Sequence, residues 1–162
     1  MRHARAVVVV LLACAAAAPA AGGAPAAPAP AAGEAAEARC ERQMIDELNR
    51  VRARHDGLRP LRAAPRLGRR AARVSGWLMR NHLFAHSPQS TRRGSSRHTG
   101  EALEMHFSRR PEVRGTVRRW LASPAHRALV LTDSMNTAGV GRATGRFRRR
   151  PATVWVLELA RR

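Results

Sequence analysis

The stretch Ala152-Thr153-Val154-Trp155-Val156-Leu157-Glu158-Leu159-Ala160, close to the end of the 162-residue chain, decides the fold. Its centre is a continuous apolar run, which is typical of a strand covered on both faces. A second strand is predicted just before it, over Ala138 to Thr144, and a basic loop over residues 145–150 joins the two. The chain therefore ends in a pair of strands that need covering layers.

Four helices are predicted between residue 40 and these strands. The first has apolar residues at the i, i+4, i+7 spacing of an amphipathic helix, at Met44, Leu48 and Val51. Prolines open the second and third helices, at Pro65 and Pro111. Ser123-Pro124 predicts the N-cap and first residue of a short fourth helix. Helices followed by strands, with helices on both sides, predict an α-β-α sandwich.

The second predicted helix carries an apolar stripe that Trp77 widens: Leu67, Ala71, Val74 and Leu78. The helix is predicted to end near Asn81-His82, and a loop rich in Ser, Arg and Gly follows over residues 87–100. His82 is a weak ligand candidate beside this helix end. His55, His98 and His106 are predicted to be surface or loop residues.

The start of the chain has the pattern of a secretory signal peptide over residues 1–21. Arg2 and Arg5 precede an apolar run over residues 7–12, and small residues follow. Residues 22–39 are mostly Ala, Pro and Gly, which predicts a disordered linker. Residues 40–162 then form a single domain, since roughly 120 residues supply one core. We therefore expect a secreted protein.

Cys14 leaves an alternative open. Leu11-Leu12-Ala13-Cys14 resembles a bacterial lipoprotein box, in which the cysteine becomes the lipidated first residue and anchors the protein to a membrane. With Cys14 in the targeting segment, Cys40 has no partner, so a fold held by disulfides is excluded.

The formal net charge is +19, from 30 basic and 11 acidic residues, and every basic residue is an arginine. We expect no nucleic-acid partner, because the arginines are scattered in small groups and stacking aromatics are scarce. Arginine without lysine indicates codon bias in a GC-rich genome. Adhesion to an anionic cell-envelope polymer is the other interpretation, since such a field attracts polyanions at low salt. Membrane contact is expected only if Cys14 is lipidated.

Three polar residues lie where the predicted elements meet: His86, Glu101 and His126. Two imidazoles and a carboxylate are ligands that zinc accepts, and three protein ligands leave a position for water. The same residues suit general acid–base chemistry. Their spacing matches no short metal motif, so each also fits a structural role at a turn.

Several short segments recur in one order: Leu48-Asn49-x-Val51-Arg52, Leu58-Arg59-Pro60-Leu61, Pro65-Arg66-Leu67, Phe84-Ala85-His86-Ser87, Gly100-Glu101, Trp120-Leu121-x-Ser123-Pro124-x-His126-Arg127, Gly139-Val140-Gly141 and Val154-Trp155-Val156. Their order and spacing over about residues 40–160 resemble the bacterial branch of the CAP family, also called SCP domains (cysteine-rich secretory, antigen 5 and pathogenesis-related proteins).

The resemblance implies an α+β fold, an α-β-α sandwich of the CAP type with about four helices around a small, mainly antiparallel sheet. It also implies a central cleft lined by His86, Glu101 and His126, where some relatives hold zinc through the two histidines. Ser87 and Glu104 are further cleft-lining candidates. Other relatives bind sterols or fatty acids, and no general catalytic activity follows from the family.

This chain departs from the family pattern at three places. Ala102 and Leu129 stand where an Asn is usual, and Leu121-Ala122 follow Trp120 where many members have a second cleft glutamate. Glu104 is the candidate substitute for that glutamate. The resemblance implies that these two amides would orient backbone or ligands in the cleft, and this chain lacks them.

Three functions remain open. The first is a noncatalytic binding protein that holds an envelope component or a small ligand at the cell envelope or outside the cell. The second is a metal-assisted hydrolase that uses His86, Glu101 and His126 with a bound water. The third is a lipid or sterol carrier. Serine catalysis by Ser87 is not expected, because the sequence has no G-x-S-x-G elbow.

Overall fold

A computed structural model of the chain describes residues 32–55, 57–86 and 99–161. Its elements are α1 (Ala32–Arg52), β1 (Arg62–Ala63), α2 (Pro65–Arg80), β2 (Thr99–His106), α3 (Val113–Ala122), α4 (Pro124–Val130), β3 (Thr137–Phe147) and β4 (Arg150–Ala160). The strands form one sheet in the order β1-β3-β4-β2, parallel between β1 and β3 and antiparallel elsewhere. The predicted fold class, with about four helices and a small, mainly antiparallel sheet, is confirmed.

Helices cover both faces of this sheet. On one face, Leu48 of α1 and Trp120 of α3 pack with Trp155 of β4. On the other face, Leu78 of α2 packs with Val156. Successive residues of β4 therefore point into opposite layers, and the prediction of a strand covered on both sides is confirmed.

α2 lies directly on β3, because two glycines leave room for its backbone. A Cβ at Gly139 would overlap atoms of Leu67 and Gly68, and one at Gly141 would overlap Ala71 and its neighbour. This contact fixes the height of α2 above the sheet. It therefore also fixes the point at which the chain leaves α2 toward residue 86.

α1 begins earlier than the sequence predicts, since its first turns fall within the segment 22–39 that was expected to be a linker. Alanine and glutamate favour helix strongly, and the helix gains two contacts with the sheet edge. Glu37 pairs with Arg142, and Glu41 Oε1 accepts a hydrogen bond from Val140 N at 3.3 Å.

Two further expectations differ from the structure. Trp77 does not extend the buried stripe of α2, because it is 42% exposed on the outward side of the helix. The basic loop predicted over residues 145–150 is mostly strand. β3 and β4 meet in a tight hairpin at Arg148 and Arg149, which both have positive φ.

Some predicted features lie outside the described residues. These are the signal peptide over residues 1–21, most of the linker, Cys14, Ser87 and His98. In the part of the chain that is described, no helix has both the length and the apolar character needed to cross a membrane.

Candidate functional site

His86, Glu101 and His126 come from three different elements and meet at the start of β2. His86 follows α2, Glu101 lies in β2 and His126 lies in the first turn of α4. His86 Nδ1 is 2.9 Å from Glu101 Oε1. The rings of His86 and His126 are 6.3 Å apart between centroids, inclined at 62°. We call these three residues the polar cluster.

β2 brings the three residues together because it is an edge strand. Segments from the helices on both faces of the sheet can therefore reach its unpaired side. Glu101 lies opposite Glu158 in the ladder, on the face covered by α2. Gly100 points to the other face, where Leu129 of α4 packs against it so closely that a Cβ would overlap the Leu129 side chain. The Leu129 that replaces the family's usual Asn thus holds α4 against the strand.

The contact between His86 and Glu101 fixes a protonation pattern. The Glu101 side chain is 2% exposed, whereas that of His86 is 47% exposed. An ionised carboxylate only accepts hydrogen bonds, so His86 Nδ1 carries the proton in this contact. In the neutral ring the remaining nitrogen, Nε2, then keeps a lone pair that can bind a ligand.

His126 is held in its neutral form. Burial lowers the pKa of His126 below its ordinary value, and the nearby His86 lowers it further. A neutral imidazole offers a lone pair to a cation or a proton donor. His126 therefore favours the neutral form at physiological pH.

The donor types suit zinc, but their arrangement limits how many can coordinate it. Within the described ranges, no group of three or more His, Cys, Asp or Glu side chains is placed to hold a metal ion. Glu101 instead hydrogen-bonds His86. In many zinc proteins a carboxylate bonded in this way orients the histidine that binds the metal. The residues thus fit a two-histidine cation site with Glu101 as the orienting group.

Glu104, the candidate substitute for a second cleft glutamate, lies on the opposite face of β2 from Glu101. It forms an ion pair with Arg119 of α3. Arg119 also approaches His106, with Nη2 at 3.3 Å from His106 Nδ1. The prediction that His106 is a surface or loop residue is wrong, because it is the last residue of β2 and only 9% exposed.

His82, the weak ligand candidate, lies at the hairpin. Its ring packs edge-on against Phe147 at 5.7 Å, and its Nδ1 accepts a hydrogen bond from Arg148 N at 3.3 Å. Both contacts hold the end of α2 to the hairpin.

Sequence reasoning missed two residues beside the cluster. Glu158 is buried next to Glu101, and Arg70 of α2 forms an ion pair with it at 2.9 Å. The sequence did contain a signal for Glu158, because it is the one carboxylate in the apolar stretch of β4. Arg70 offsets the negative charge that Glu158 would otherwise present to Glu101.

A separate cleft of about 790 Å³ runs between α1 and α2 over the edge of β3. Cys40, Arg142 and Trp155 contribute to its lining, and the Arg142 guanidinium lies 5.8 Å from the centre of the Trp155 ring. Its volume is in the range of small-molecule pockets.

A family model described as the cysteine-rich secretory protein family matches residues 45–159. The structure also resembles an outer surface protein of Borrelia burgdorferi, with a TM-score of 0.58, 20% identity and coverage of 75% of this chain and 92% of that one. Venom allergen-like protein 4 of Schistosoma mansoni gives a TM-score of 0.54, 14% identity and coverage of 75% and 88%. No curated protein sequence matches the chain significantly. At these identities the solved structures support the fold alone.

Proposed function

Since the chain belongs to the cysteine-rich secretory protein (CAP) family, we propose that it is a noncatalytic binding protein whose ligand site is the polar cluster. The ligand class that suits this site is a divalent cation such as zinc, alone or with a small molecule that completes its coordination. His86 and His126 would supply the imidazole ligands, and Glu101 would orient His86.

One observation carries this proposal: the 2.9 Å contact between His86 Nδ1 and Glu101 Oε1, beside the ring of His126. It leaves His86 Nε2 outside the bond to Glu101, and the lowered pKa of His126 favours the neutral form of that ring. Imidazole is a ligand that zinc accepts, and the two rings lie 6.3 Å apart between centroids.

The second candidate, a metal-assisted hydrolase, is less well supported. Catalytic zinc sites have three protein ligands and an open position for water. In this structure one Glu101 oxygen accepts a hydrogen bond from His86, and among the described residues no three ligand side chains are placed to hold a metal ion. Binding without catalysis is therefore the function that this geometry favours.

The lipid-binding alternative would use another part of the molecule. The cleft beside Cys40 and Trp155 is large enough for a small apolar ligand, and its walls are mainly apolar. A sterol or fatty acid that binds there would be insensitive to changes at His86 or His126.

We also place this function at the cell envelope or outside the cell. The support is the signal-peptide pattern over residues 1–21, with lipidation of Cys14 as the membrane-anchored alternative. One structural relative is an outer surface protein. Without Arg2 and Arg5 of the signal peptide the net charge would still be +17 (19 − 2), and it would draw the protein to anionic envelope polymers.

Calorimetric titration of the full chain with zinc near neutral pH tests the proposal. We expect the wild type to bind, and His86→Ala or His126→Ala to weaken binding by more than about tenfold, because each removes a ligand. His55→Ala is the matched control, since His55 is exposed outside the cluster. Circular dichroism should show that all variants stay folded.

The proposed cation site is wrong if the wild type binds no zinc or if all four proteins bind it equally. Zinc-dependent hydrolysis of an ester or peptide that both histidine variants lose would favour the hydrolase. Binding of a fatty acid that neither variant affects would move the ligand site to the α1–α2 cleft.

A further inference from the structure

The outward side of α2 carries a basic stripe that the polar cluster does not use. Arg66, Arg69, Arg73, Trp77 and Arg80 are exposed and follow one another at helical spacing. At about 100° per residue they fall within about 80° of arc, over a length of about 21 Å. α2 contains no acidic residue, so nothing on the helix itself neutralises the stripe.

The stripe continues onto the hairpin between β3 and β4. His82 joins the two, since its ring packs on Phe147 and its Nδ1 accepts from Arg148 N. The hairpin adds four exposed arginines: Arg146, Arg148, Arg149 and Arg150. Helix and hairpin together form one surface, called below the α2–hairpin surface.

Large apolar side chains are exposed on this surface. Trp77 lies within the stripe, and Leu83, 44% exposed, follows the end of α2, where its N–H donates to Leu78 O at 3.1 Å. Phe107, also exposed, lies under the guanidinium of Arg150, 3.7 Å from its ring centre. Exposed tryptophan and leucine among arginines are typical of surfaces that enter the interfacial region of a bilayer.

We propose that the α2–hairpin surface docks on a membrane that contains anionic phospholipids. The arginines would contact lipid phosphates, and Trp77 and Leu83 would enter the headgroup region. A soluble polyanion would satisfy the arginines equally well, but it has no apolar phase for Trp77 and Leu83. These exposed side chains are why lipid is favoured. The contact requires no lipid on Cys14.

Trp77 is a built-in probe of this docking. The chain has three tryptophans, and Trp120 and Trp155 are fully buried. Quenching of the full chain by vesicles with brominated acyl chains therefore reports on Trp77. Vesicles of phosphatidylcholine with phosphatidylglycerol should quench and blue-shift its emission. Vesicles of phosphatidylcholine alone should do neither, and added salt should reverse the effect because it screens the arginines.

The test variant is the pair Arg73→Glu and Arg80→Glu, which keeps the probe. It should lose about tenfold or more in partitioning to anionic vesicles. The matched control is Arg42→Glu with Arg118→Glu. It makes the same change in net charge at exposed positions of α1 and α3, on the other face of the sheet, and it should lose much less. Leu83→Ser, which keeps all charges, should reduce the brominated-lipid quenching.

Equal losses in the two double variants would overturn the proposal, since net charge alone would then explain the binding. Binding without brominated-lipid quenching would also overturn it, and would indicate a polyanion partner held by the arginines. Neither result bears on zinc, because vesicle docking and the polar cluster use different residues.

Discussion

The two ends of α4 differ in how their polar side chains find partners. Arg52 contacts the C-terminal end of the helix, whereas His126 lies in its first turn. The fully buried Arg52 guanidinium donates to four backbone oxygens at 2.5–3.2 Å: those of Arg59, Val130, Thr132 and Met135. His126 instead lies beside the half-exposed imidazole of His86, which hydrogen-bonds Glu101.

The difference separates a structural polar site from the proposed ligand site. Burial lowers the pKa of Arg52, while Asp133 raises it, and an arginine stays charged in either case. Its donors are used by the protein's own backbone, at carbonyls where a helix C-terminus favours positive charge. The histidines keep ring nitrogens and solvent access, which a ligand requires.

The largest expected effect follows from breaking the Arg52 site. Arg52→Met should lower the free energy of unfolding by about 3–5 kcal/mol, because four backbone oxygens lose a charged donor. Urea denaturation measures it. Arg54→Met, at an exposed neighbouring position, should stay within about 0.5 kcal/mol. Similar losses of unfolding free energy in both variants would show that Arg52 does not hold the backbone at Arg59 and at residues 130–135 together.

A smaller effect is expected from removing the charge of Glu101. Glu101→Gln keeps an acceptor for His86 but not a carboxylate, so zinc affinity should fall about tenfold. Glu104→Gln makes the same chemical change on the opposite face of β2, beside Arg119, and should leave zinc binding unchanged. If Glu104→Gln weakens binding as much as Glu101→Gln, the cluster extends to Glu104 and its assigned limits are wrong.

The smallest expected effect is a lowered pKa for one histidine, His126. His126 should take up a proton below about pH 6.5, the unperturbed histidine value, because burial and His86 lower its pKa. Since the unfolded chain protonates first, stability should be complete above that pH and fall as the pH drops below it. NMR titration of the His126 ring measures the shift. His86→Ala should move the pKa upward, and titration of the wild type at or above 6.5 would contradict the assignment.

The fold was predictable wherever one pattern dominated a segment. The apolar run of β4 and the stripe of α2 indicate buried elements because their environments are uniform. β2 gave no such signal, since Glu101 and Glu104 interrupt it and it becomes a strand by pairing with β4. Trp77 was predicted to widen the buried stripe of α2 but is exposed. Hydrophobicity alone does not show where the exposed edge of a helical stripe lies.

The site was predictable only in part. Residue spacing does not reveal that His86 reaches Glu101, so that expectation rested on the family resemblance, and the 2.9 Å contact places the two together. In the sequence, Arg52 appears only as the last residue of the segment Leu48-Asn49-x-Val51-Arg52. Its burial depends on backbone oxygens from Arg59 and from residues 130–135, and no local pattern encodes such a contact.

The contact between α1 and β3 also covers backbone that could pair with another molecule. β1 covers only the first residues of the β3 edge, and an uncovered edge can pair with a strand from another molecule. Glu41 accepts from Val140 N on that edge, and Glu37 holds the next outward-facing position through Arg142. The first turns of α1 therefore act as a barrier to intermolecular sheet growth along this part of the β3 edge.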